Sequence, residues 1–162
     1  RRPRRGTVVT ELSAAEVSEM YEVRSALYAA VVRLFVRRAS DGEVAGYAVW
    51  RQRINDLAAD ATVTPARFVD ATQAASIYVV ERCGNARLQA GFRKMTRQSY
   101  RYYAEMAHGT VAHRRELACL ATAMLEAMQA RDAEAASMLA WRISESNHAA
   151  ALVAIAAQEK PG

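Results

Sequence analysis

The sequence predicts an all-α fold, an antiparallel bundle of six to seven helices. Three observations predict it. The 162 residues are 52% hydrophobic with only 7 Gly and 3 Pro, and they are crowded with Ala, Leu, Arg, Glu and Met, as helical proteins are. Apolar positions recur at three- and four-residue steps over long stretches. Short turns punctuate those stretches, several with cap chemistry legible in the residues themselves. A chain of this length makes one domain with a sizeable core.

Taken in order, residues 1–12, RRPRRGTVVTEL, are not helical. Gly6 breaks the basic run, and Thr7, Val8, Val9 and Thr10 are β-branched and favour a strand. Helix one starts at a capping box, Ser13 with Glu16, stapled by Leu12 and Val17. Its face carries Val17, Met20, Tyr21, Arg24, Leu27, Tyr28, Val31, Leu34 and Phe35 to about Ala39. Helix two opens on a second capping box in Ser40-Asp41-Gly42-Glu43. It turns Val44, Tyr47, Trp50, Ile54 and Leu57 inward and ends near Asp60.

Helix three has both ends marked, with Thr64 as N-cap, Pro65 at the first helical position and Gly84 as the stop. Helix four is expected from Asn85 to about Ala107, with Leu88, Phe92, Met95 and Tyr102 in the core. Its other face, Arg87, Arg93, Lys94, Arg97 and Arg101, reads as a solvated basic face, and His108-Gly109 ends it. Helix five spans about Val111 to Ala130. Asp132 turns the chain and caps helix six, whose stripe includes Ala136, Ala140, Ile143, Asn147 and Leu152. Residues 159–162 form a tail.

Composition excludes several classes. No apolar run approaches the roughly 20 residues a membrane span needs. The basic start runs into a polar, strand-like stretch, so no secretory signal is expected. Cys83 and Cys119 lack metal-type spacing and read as free thiols of a cytoplasmic protein. Arg1, Arg2, Arg4 and Arg5 carry most of the net charge of +5, so a near-neutral body bears a basic arm. Such an arm suits phosphate contact or is a solvated tail.

Catalytic patterns are hard to find. His108, His113 and His148 fall at a helix end, an exposed start and a late turn, and none pairs with a carboxylate at ligand spacing on a buried face. There is no His-Glu-x-x-His and no Gly-rich phosphate loop. The sequence therefore points away from an enzyme and supplies no catalytic residues. Two features stand out instead. Thr72 and Ser76 put two hydroxyls one turn apart on the inward face of helix three, a notch that either bonds its own backbone or lines a cavity. Arg24 interrupts the apolar face of helix one and must find a carboxylate, carbonyls or a bound anion.

These residues carry a resemblance. RRGTVVTELSAAEVSEMYEVRSALYAA resembles the junction between the winged-helix and effector domains of FadR-like regulators of the GntR family. FVDATQAASIYVVERCGNARL and LATAMLEAMQARDAEAASMLAWRI resemble the middle and the final helix pair of their FCD-type effector domain. The likeness covers about residues 6–155. It implies residues 1–12 as the end of a wing and linker, and 13–158 as a helical effector-binding and dimerisation domain.

The resemblance also implies a metal in many members, held by an Asp and a His one turn apart and two later His. Those positions fall here on Thr72, Ser76, Ala121 and Ile143, none of which is a metal ligand. Asp70 is two residues off, about 200° around the helix, and His148 lies five residues past Ile143. No metal and no other cofactor is expected. Arg24 matches the family's helix-one arginine, and Tyr28 stands where it often has Glu.

The expected effector site is thus Arg24, Tyr28, Thr72, Ser76, Ala121, Ile143 and Asn147. It would take a small organic acid or an acyl or hydrophobic metabolite. The implied partners are a second copy, through helices one and four, and DNA only through a winged-helix domain not among these residues. Two other readings stay open: a ligand-free dimerisation module, and a small cofactor-free helical enzyme.

Overall fold

The computed structural model describes residues 11–96 and 98–158. Seven helices fill that range: α1 (Ala14–Arg38), α2 (Asp41–Ala59), α3 (Pro65–Arg82), α4 (Ala86–Met95), α5 (Gln98–Ala107), α6 (Val111–Gln129) and α7 (Ala133–Gln158). No strand occurs among the described residues. The arginine arm, the expected strand at residues 7–10, Arg97 and the tail at 159–162 lie outside them.

Local chemistry sets the helix ends. Ser13 Oγ accepts from Glu16 N at 3.2 Å while the Glu16 carboxylate accepts from Ser13 N at 2.8 Å. Ser40 and Glu43 repeat the pattern with the same distances. Each box satisfies two N–H groups that a helix start otherwise leaves free, worth about 1 kcal/mol. Thr64 caps α3 ahead of Pro65, and Gly84 follows it at φ +68°, a conformation that favours glycine. At the α6–α7 turn the left-handed position is Arg131, at φ +59°. Its guanidinium reaches back to the carbonyls of Val36 and Ala39, at 3.1 and 2.7 Å. Asp132 Oδ1 accepts from Ala135 N at 2.9 Å and caps α7 as expected.

Side-chain pairs fix the topology. Arg37 and Glu134, Ala29 and Ser137, and Ser18 and His148 meet, so α1 and α7 run antiparallel along most of their length. Ser146 meets Glu116 across α7 and α6, and Arg51 meets Ala118 across α2 and α6. Tyr78 donates to the Glu43 carbonyl across α3 and α2. The main core runs through all these helices around Val32, Phe35, Tyr47, Val79, Met124 and Ala136. A second cluster, with Val17, Tyr21, Val69, Tyr100 and Tyr103, closes the end where α1 begins.

One expected helix is broken. The stretch read as a single helix from Asn85 to Ala107 is two, α4 and α5. Thr96 ends α4, and its hydroxyl donates back to the carbonyls of Phe92 and Arg93, both at 3.1 Å. That local bond competes with continuation of the helix. The core differs from the expected one as well. Tyr100 and Tyr103 are buried, while Met95 and Tyr102 are only half-buried. The remaining basic face is solvated and ion-paired, Arg93 to Glu81 at 3.1 Å and Arg101 to Asp70 at 2.6 Å.

Candidate functional site

Where the two core clusters meet, the helices leave a cavity of about 60 Å³, room for a few waters or one compact molecule. All seven residues expected from the sequence border it. α1 supplies Arg24 and Tyr28, α3 supplies Thr72 and Ser76, α6 supplies Ala121, and α7 supplies Ile143 and Asn147. The space exists because facing positions are small: Ala75, Ser76, Ala121 and Ser144 all lie on its wall. Thr72 Oγ1 donates to the Val69 carbonyl and Ser76 Oγ to the Thr72 carbonyl, both at 3.0 Å. The notch therefore does both things left open above. Each hydroxyl gives its hydrogen to its own helix and keeps lone pairs free to accept.

Arg24 sets the electrostatics. It is 6% exposed, and its guanidinium carbon lies 4.1 Å from the Tyr100 ring centre, 4.8 Å from Phe92 and 5.7 Å from Tyr28. Its Nε and Nη1 are enclosed and meet no acceptor. No carboxylate among the described residues forms an ion pair with it. The other two buried arginines differ. Arg114 donates to the Val63 carbonyl at 2.6 Å, and Arg51 to the Ala118 carbonyl at 2.5 Å and Thr122 Oγ1 at 3.0 Å. Aromatic faces stabilise the Arg24 charge but leave its directional donors unused. Burial pushes the phenols of Tyr28 and Tyr47 up, so both stay protonated beside it.

Three residues close the neighbouring wall. His108 is 2% exposed, borders the cavity and rests edge-on against Phe68 at 5.0 Å. Burial, reinforced by His113, Arg114 and Arg24, pushes its pKa down to about 3, so the ring is neutral near pH 7. His113 stacks on it at 5.5 Å and shares a 3.1 Å hydrogen bond with Asn147 Oδ1. The sequence reading of His113 as an exposed helix start is thus corrected, since only 10% of its side chain is exposed. His108 and Tyr100 were missed as wall residues. His108 reads as a terminator before Gly109, and Tyr100 lies buried on α5, beyond the break at Thr96.

The four positions that would hold a metal, Thr72, Ser76, Ala121 and Ile143, converge on this one cavity. They offer two hydroxyls, a methyl and an aliphatic chain, and a buried guanidinium already supplies positive charge on the same wall. That donor set does not fit a divalent cation. Among the described residues no group of three His, Cys, Asp or Glu side chains could hold one. The wall is suited to something else: one cation, the N–H groups of an amide and apolar sides can seat a small anion, with two hydroxyl lone pairs left to accept from it.

An all-α bundle with a cavity lined by mostly buried residues and bordered by a buried cation is of the type that binds small molecules. The chain belongs to the FCD domain family, whose pattern matches residues 19–146. FCD domains are the C-terminal effector-binding domains of GntR-family transcriptional regulators. No curated protein matches the chain. No helix among the described residues is long and apolar enough to cross a membrane.

Proposed function

We propose that this domain is the effector sensor of a FadR-like, cytoplasmic GntR-family regulator, and that it binds a compact monocarboxylic acid without a metal. One observation carries the reading: the buried Arg24 guanidinium borders the cavity with no carboxylate partner and with Nε and Nη1 unpaired. A single cation suits a single carboxylate, and about 60 Å³ suits a short acid rather than a long acyl chain. The Asn147 amide N–H groups supply a second donor, the lone pairs of Thr72 and Ser76 can accept from a hydroxyl on the acid, and Ile143 and Ala121 form the apolar wall.

Two copies pair, and each bundle positions a winged-helix domain on DNA. An acid that binds two bundle states differently shifts those heads. The large exposed apolar side chains beside α1 lie on α7, with Val23 on α1 and Met138 and Trp141 on α7. They support a dimer surface of α1 with α7 more than of α1 with α4.

The test is thermal unfolding in a low-salt amine buffer with a panel of acids: acetate, glycolate, succinate and octanoate. A ligand at 100 times its Kd adds about 2.7 kcal/mol, which raises Tm by roughly 5–11 °C at this chain length. Stabilisation by short monocarboxylates, lost on Arg24→Met, is expected. No response to any acid would leave a ligand-free dimerisation module as the better reading, and preference for octanoate would overturn the size argument.

A further inference from the structure

The cavity that holds Arg24 lies next to a second, much larger hollow. A surface groove of about 630 Å³ runs between the end of α5, the start of α6 and the middle of α7, bordered by Met106, His113, Glu116, Arg142 and Ala149. The partition between groove and cavity is thin. Asn147 borders the cavity, His113 borders the groove, and the two are joined by the 3.1 Å hydrogen bond. Behind His113 comes His108, stacked on it and bordering the cavity. Ala107, the residue before His108, already borders the groove.

We propose that His113 and Asn147 form the latch of the effector site, and that a small acid reaches Arg24 from the groove when this hydrogen bond opens. The latch is one hydrogen bond between two side chains on different helices. Opening it requires rotation of one ring and no movement of backbone. The groove supplies the space into which the His113 ring turns. His108, held by Phe68 and by its own burial, stays as the fixed jamb. The inference rests on the reading of the cavity as the effector site, but access can be measured without an effector.

Cysteine accessibility does so in the full chain. Cys119 is exposed and is replaced by Ser, while Cys83 is fully buried, does not border the cavity and is kept as a clock for opening of the whole bundle. Ala121→Cys places a thiol on the cavity wall, and methyl methanethiosulfonate is the probe. His113→Ala and Asn147→Ala are each expected to speed modification of the introduced thiol tenfold or more, with Cys83 changed by less than twofold. Combining them should add little, because both remove the same bond. An unchanged rate in both variants overturns the latch, and so does a rise that Cys83 shares. Ser144→Cys repeats the measurement from another wall if Ala121→Cys folds poorly. Failure of the acid panel with success here would separate the two ideas: an accessible cavity that does not bind acids.

Discussion

Replacing Arg24 by Met should make the acid-free domain more stable, not less. Methionine is of similar length, apolar and flexible enough to fill the space between Tyr100, Phe92 and Tyr28. Removing the guanidinium abolishes two enclosed donors without acceptors, each costing about 1–3 kcal/mol. It also loses cation–π attraction, worth about 2 kcal/mol for a desolvated pair. Those terms oppose each other. Experience with buried charges replaced by apolar residues points to a net gain of about 1–3 kcal/mol, or roughly 2–12 °C in Tm. Urea titrations in low-salt amine buffer measure the difference, with and without saturating acetate. Acetate should narrow the gap by stabilising only the native sequence. A loss of more than about 1 kcal/mol in the acid-free variant would mean that Arg24 is a structural residue, and the argument from its unpaired donors would fall.

His108 gives a pH dependence. Its pKa is held at about 3 in the fold and is near 6.5 when unfolded, so between those values the unfolded chain binds a proton that the folded chain refuses. Acid therefore weakens folding across that window, by up to about 1.4 kcal/mol per pH unit, and has no effect through this group above it. Urea midpoints at pH 7 and pH 5 should converge in His108→Asn. Ser40→Ala removes the hydroxyl that accepts from Glu43 N and donates to the Glu43 carboxylate, and should cost about 1 kcal/mol by the same titration. At Gly46 an added Cβ would clash with the Tyr78 hydroxyl. Gly46→Ala should therefore cost about 1–2 kcal/mol in spite of better helix propensity, because that hydroxyl must leave the Glu43 carbonyl. Tyr78→Phe should relieve most of that cost in a double-mutant cycle.

Much of the fold was legible because its signals are local. Capping boxes at Ser13 and Ser40, Pro65 at a first turn and Gly84 at a stop each act within four residues, and each is present in the structure. The cavity wall was legible through helical register, which brings Thr72 and Ser76 to the same side as Arg24. What was illegible depends on partners far along the chain. Thr96 contains no breaker signal, since a threonine within an apolar-periodic stretch is ordinary. Arg131 adopts a conformation usual for glycine while its guanidinium binds carbonyls more than ninety residues away. His108 looks like punctuation before Gly109 until Phe68, on a different helix, encloses it.

The interruption at Thr96 has a mechanical consequence. In a continuous helix, Phe92 and Tyr100 would stand about 12 Å apart along one axis. Here they belong to two rods that meet at a joint, and both clasp the same guanidinium, at 4.8 and 4.1 Å. α4 rests on α1 and α3, whereas α5 rests on α7 and α3. Arg24 is therefore a rivet through two plates. An anion in the cavity is expected to compete with Tyr100 for the guanidinium and so let α5 pivot against α4. Spin labels at Arg87 and Glu105 would register that pivot as a change in distance on adding acid, and a fixed distance would mean that the joint is rigid.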